Sequence, residues 1–174
     1  YLNEIKKHLT RCKIKKYKII LEPAKRNTGP AILATALIND IPINQPMLFL
    51  SSDHLIEKVG KFNNEIIRNK RYLTNENIFI FGIKPKTPSN QFGYFITKKN
   101  KKNLNKVAKF IEKPNKTNAI KIVKKGGYWN SGMFYSRKDS IINNFKKYEK
   151  NIYLNTLNAV KKSDLKNIIV KNLI

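Results

Sequence analysis

Three short apolar runs, separated by stretches of helical periodicity, restrict this chain more than any other feature. They are KIIL at 18–21, MLFL at 47–50 and IFIFGI at 78–83. Each is the length of a buried strand, and the segments around them carry the three-to-four-residue spacing of amphipathic helices. Leu2, Ile5 and Leu9 fall on one face of a helix over 2–10, and Phe62, Ile66 and Ile67 on one face of a helix over 58–72. Between the first two runs, Thr28 is placed to cap a helix through AILATALI. Pro30 stands early in that helix, where its missing N–H costs little. Strands alternating with helices predict an α/β fold with a mixed, mainly parallel sheet and helices on both faces. The second half is patterned differently. Residues 92–97 and 107–112 read as a hairpin whose tip is the charged segment 98–106. A helix over 116–125, a break at Gly126-Gly127, an apolar run at 132–135 and helices over 139–162 follow.

Ligands of open α/β sheets bind beyond the carboxyl ends of the strands, and four chemically notable segments fall at such ends: 22–30, 51–54, 84–94 and 112–114. Glu22 and Arg26 share a loop with Asn27, Thr28, Gly29 and Pro30 at a helix N-terminus. A carboxylate there can accept both N1–H and the exocyclic amine of guanine, and the helix N–H groups suit anionic oxygens. A capped helix with a surface arginine has the same spacing. Asp53, closing Ser51-Ser52-Asp53-His54, can hold Mg²⁺ against a nucleotide phosphate or simply cap a turn. Gly93-Tyr94 admits close approach of a ligand to backbone, or only a bulge. Glu112 and Lys113 set a hydroxyl acceptor and a point charge for phosphate beside Pro114, or form an exposed ion pair. Asn130 lies in WNSGMF, where amide, hydroxyl and aromatic groups suit a sugar and equally suit a turn entering a core strand.

Composition narrows the setting. There are 36 Lys and Arg against 11 Asp and Glu, a formal charge of +25. The lysines are spread along the chain with few interleaved aromatics. They therefore argue for compositional drift with general attraction to phosphates, and against a specific nucleic-acid surface. Cys12 is the one cysteine, which points to a reducing, cytoplasmic location. No charge-free run approaches the roughly 20 apolar residues of a membrane helix, so no membrane partner is expected. The oligomeric state is left open, a homo-oligomer included.

Taken in order, EPAKRNTGPAI, LFLSSDHLI, FGIKPKTPSNQFGYF, KFIEKP and YWNSGMF closely resemble the mannose-1-phosphate guanylyltransferases, over about residues 1–162. The resemblance implies a Rossmann-like, GT-A-like nucleotidyltransferase domain and the reaction of GTP with mannose-1-phosphate to give GDP-mannose and pyrophosphate. It also implies in-line attack by the sugar phosphate with Mg²⁺ assistance. By motif, Glu22 and the 26–30 loop would face the guanine nucleotide, Asp53 would hold the metal, and Gly93 and Tyr94 would line the sugar site. Glu112 would bind mannose hydroxyls, Lys113 the sugar phosphate, and Asn130 the sugar.

The family's first strand and phosphate-gripping glycine loop have no counterpart here, and neither does its later metal-site aspartate. The expectation is therefore that residues 1–174 form a partial domain, incomplete at the N-terminus and inactive alone. Its missing strand would leave neighbouring strands with unpaired edges. Alternatives within reach are a nucleotidyltransferase for another hexose-1-phosphate, a non-catalytic sugar-nucleotide-binding remnant, and a basic nucleic-acid module.

Overall fold

The computed structural model describes residues 1–22, 24, 27–98 and 104–162, and the backbone of 168–171. In chain order the elements are α1 (Leu2–Arg11), β1 (Tyr17–Ile20), α2 (Thr28–Ala36), β2 (Pro46–Phe49) and α3 (Val59–Asn69), which ends in a 3₁₀ turn. Then come β3 (Ile78–Ile83), β4 (Tyr94–Lys98), β5 (Lys106–Ile111), α4 (Lys116–Lys124) and β6 (Tyr128–Arg137). The chain closes with α5 (Lys138–Tyr148), α6 (Lys150–Lys162) and β7 (Ile168–Lys171). Two compact units result, one of Tyr1–Ile43 with Ile141–Ile174, the other of Asn44–Ser140.

In the first unit β1 pairs antiparallel with β7, Tyr17 opposite Lys171 and Ile20 opposite Ile168. Helical spacing buries Leu33 and Ala36 of α2, and Ile19, Ile38 and Ile141 are buried as well. Thr28 is the first residue of α2 and not its cap. The cap position is Asn27, whose side chain makes no capping hydrogen bond. Pro30 lies in the first turn as expected, where no intrahelical N–H bond is lost.

The second unit is built on a five-stranded sheet of order β2-β6-β4-β5, with β3 also paired to β6. Phe134 to Ser136 of β6 pair with β2 on one side and β3 on the other, and Trp129 pairs with both β3 and β4. So β2 and β4 follow one another along one side of β6, and β3 runs along the opposite side. The α/β class and the open sheet with helices agree with the pattern in the sequence. The expectation of a mainly parallel sheet does not: every described strand pair is antiparallel. β2 and β3 do point the same way, but the ten-residue β6 runs between them in reverse. Only part of β6, residues 132–135, stood out as an apolar run. Its actual span takes in Trp129, Asn130 and Ser131, and Gly132 with φ +72° marks the irregular stretch near the register shift between Ile80 and Gly82.

Helices close over this sheet through their apolar stripes. Ala119 and Ile122 of α4 pack on Tyr94, with Ile96, Ile111, Val123 and Trp129 around them. Phe62 of α3 meets Phe81 of β3 at a ring separation of 5.5 Å. Burial of this kind supplies roughly 25 cal/mol per Å² of apolar surface, far more than the intrinsic helicity of elements nine to eleven residues long.

Candidate functional site

Strand alternation sorts the motif residues of the second unit onto two faces. Tyr94 stands opposite both Ile111 and Trp129, and all three belong to the α4 side. Gly93, Glu112 and Asn130 are each one residue away from that set, so they share the opposite face. Their proximity is measurable. A Cβ placed on Gly93 would stand 2.7 Å from Glu112 Oε2, 3.1 Å from Phe110 Cζ and 3.7 Å from Asn130 Cβ. Asn130 N–H donates to the Gly93 carbonyl at 2.7 Å. A side chain at position 93 would displace the Glu112 carboxylate and crowd the Phe110 ring.

Tyr94 departs from its expected place lining a sugar site. It is 0% exposed. Ser89 N–H donates to its phenolic oxygen at 2.8 Å, and its O–H donates to the Ser89 carbonyl at 2.9 Å. Burial against α4 turns the side chain away from Glu112, and the hydroxyl ties down the loop before β4. Trp129 packs beside it and meets Phe92 at a tilt of 49°, with centroids 4.9 Å apart.

The remaining segments of this unit gather at the same end of the sheet. Glu112 follows the last residue of β5, and Ser51 follows the end of β2 beside β6, its Oγ 3.9 Å from the position of a Cβ on Gly132. Asp53 lies in the turn after Ser51 with its side chain 86% exposed, and His54 Nε2 approaches its Oδ1 at 4.0 Å. Lys113 is exposed and holds φ at 41°, in the left-handed region and directly before Pro114. Asn130 Oδ1 accepts from Gly132 N–H at 3.3 Å, an amide that still carries two N–H donors of its own. Among the described residues, no group of three His, Cys, Asp or Glu could hold a metal ion unaided.

In the first unit, Glu22 is exposed after β1, and Asn27 to Pro30 lead into α2. Arg26 lies outside the described residues. Asn27 has φ 67° and ψ 176°, a conformation that glycine adopts far more readily. A Cβ on Gly29 would meet Phe145 Cζ at 3.4 Å, an ordinary contact, so alanine also fits there.

Sequence reasoning assigned no role to Phe110. The available signal was its place two residues before Glu112, hence on the same face of β5. Elsewhere in the unit, a groove of about 810 Å³ runs between α3, β3 and the β4–β5 hairpin, lined by Phe79, Phe81, Phe95 and Tyr128 among others. None of the expected site residues lines it.

Glu112, Lys113, Asn130 and Asp53 thus lie towards one end of the sheet in an α/β protein. The nucleotidyl transferase family profile matches residues 1–172, and the chain belongs to that family. Its relatives include a mannose-1-phosphate guanylyltransferase of Escherichia coli (strain K12), 37% identical over an alignment of 143 positions that covers 77% of this chain and 30% of that protein. Another Escherichia coli mannose-1-phosphate guanylyltransferase is 35% identical over an alignment of 142 positions that covers 67% of this chain and 27% of that protein. A Helicobacter pylori crystal structure described as a mannose-6-phosphate isomerase superposes with a TM-score of 0.75 at 28% identity, covering 86% of this chain and 59% of that one. The chain thus spans about 30% of the length of the curated relatives it matches.

Proposed function

We propose that the protein to which this chain belongs forms GDP-mannose and pyrophosphate from GTP and mannose-1-phosphate. The observation carrying this reading is the meeting of Glu112, Gly93 and Asn130 on one sheet face, at the end where Lys113 and Asp53 also lie. Glu112 accepts from sugar hydroxyls and Asn130 donates to them. Lys113 meets the sugar phosphate as a point charge. A phosphate oxygen of mannose-1-phosphate attacks the α-phosphorus of GTP, the bond to the β-phosphate oxygen breaks, and pyrophosphate departs with that electron pair. Catalysis of this kind rests on positioning and charge stabilisation. The base-reading role falls to Glu22 with the 26–30 loop. The single Cys12, exposed, fits a reducing cytoplasmic setting.

Mg²⁺ is held characteristically by one or two carboxylates together with substrate phosphates and waters. One open carboxylate at a strand end fits such a shared site, so Asp53 is the residue that would hold it. The ion would supply neutralisation of charge on the phosphate oxygens.

The test is pyrophosphate release from GTP and mannose-1-phosphate by the product of the complete reading frame, with Mg²⁺ present. Asp53→Ala and Lys113→Ala are each expected to lower kcat/KM by about 100-fold or more. Turnover with a different hexose-1-phosphate alone would keep the chemistry and discard mannose. No turnover with any sugar phosphate would leave a non-catalytic sugar-nucleotide-binding protein.

A further inference from the structure

We infer that Phe110 is a sugar-stacking residue, an apolar platform for the C–H face of the hexose that Glu112 and Asn130 hold by its hydroxyls. The inference rests on the sugar-phosphate reading of this site and adds a specificity element to it.

Three observations carry it. Phe110 and Glu112 are two apart on β5 and so project from the same sheet face. Both side chains converge on Gly93, with Phe110 Cζ 3.1 Å and Glu112 Oε2 2.7 Å from the place where a Cβ would sit. Phe110 is nevertheless 47% exposed, although its strand neighbour opposite, Phe95, is buried. A half-open aromatic ring fixed beside a carboxylate and an amide is an arrangement suited to a pyranose. Such a ring has hydroxyls at its rim and an apolar C–H surface on its faces. Binding sites of this kind are mostly apolar or aromatic, with a few placed polar groups that set orientation. An aromatic surface also contributes contact area at little conformational cost.

The experiment uses the complete enzyme and compares Phe110→Ala, Phe110→Leu and Phe110→Trp with the wild type, with mannose-1-phosphate as the probe. Alanine and leucine are expected to raise the KM for mannose-1-phosphate about tenfold, a loss of about 1.4 kcal/mol. The KM for GTP and the melting temperature should stay unchanged. Tryptophan should restore the KM for the sugar phosphate to within about threefold of wild type, because the platform rather than the phenyl group is required. An unchanged sugar-phosphate KM in Phe110→Ala overturns the inference. So does a rise in both KM values with a lower melting temperature, which is the signature of a structural role. If the wild type turns over no hexose-1-phosphate, the sugar-phosphate reading itself falls and takes this inference with it.

Discussion

Lys113 carries two backbone penalties at once. Its φ of 41° is the left-handed region that costs a side-chain-bearing residue about 1–2 kcal/mol, and Pro114 disfavours most conformations other than extended ones for the residue before it. Strain of this kind persists where surrounding structure or function requires it. The two requirements separate experimentally. Lys113→Gly removes the ammonium but relieves the backbone, whereas Lys113→Ala removes the ammonium and keeps the strain. Both should lose activity about equally, and the glycine variant should be more stable than the alanine variant by about 1 kcal/mol in urea denaturation. Equal stabilities would mean that the conformation at 113 is not strained. Gly93 acts in the opposite sense, as a residue whose missing side chain makes room for Glu112 and Phe110.

Among the elements, β6 is the organiser. It pairs with β2, β3 and β4, and its N-terminal half carries Asn130 and the irregular Gly132. The fit on its β3 side depends on Gly82, opposite Asn130. A Cβ there would lie 2.7 Å from Phe95 Cζ and 2.9 Å from Tyr128 Cβ, two rings that stack on each other at 5.7 Å. Phe95 is buried, so its ring cannot simply swing into solvent. Gly82→Ala should therefore destabilise the protein by about 1–3 kcal/mol, the ordinary cost of overpacking. A shift in the urea midpoint equivalent to under about 0.5 kcal/mol would show that the β3–β6 contact can relax. Tyr94 illustrates why element-scale placement matters. Its neighbour Gly93 faces Glu112, while one step along the strand the phenol faces α4 and bonds Ser89.

At the scale of the whole molecule, a charge of +25 on 174 residues is the dominant property. Lysines this numerous repel one another in any compact state, and salt shortens the range of that repulsion from about 10 Å at 0.1 M to about 3 Å at 1 M. Raising sodium chloride from low to high concentration should lift the melting temperature by roughly 2–4 °C, equivalent to about 1 kcal/mol in a chain of this size. A fall would mean that ion pairs such as Arg68–Glu65 (2.7 Å) outweigh the repulsion. The positions and types of α1, α3, β3 and α4 follow from local spacing, and so does the grouping of notable residues at strand ends, because burial periodicity and turn chemistry are properties of neighbouring residues. Asp53, Glu112 and Lys113 were legible as polar groups at those ends for the same reason. The reversal of β6 between β2 and β3, the pairing of β7 with β1, the burial of Tyr94 and the convergence of Phe110 on Gly93 were not legible. Each depends on which distant strand supplies the hydrogen bonds and in what register. That choice is made by contact energies between segments remote in sequence, so neighbouring residues by themselves determined most of the elements and where polar groups fall among them, and the tertiary structure alone decided which side chains face one another.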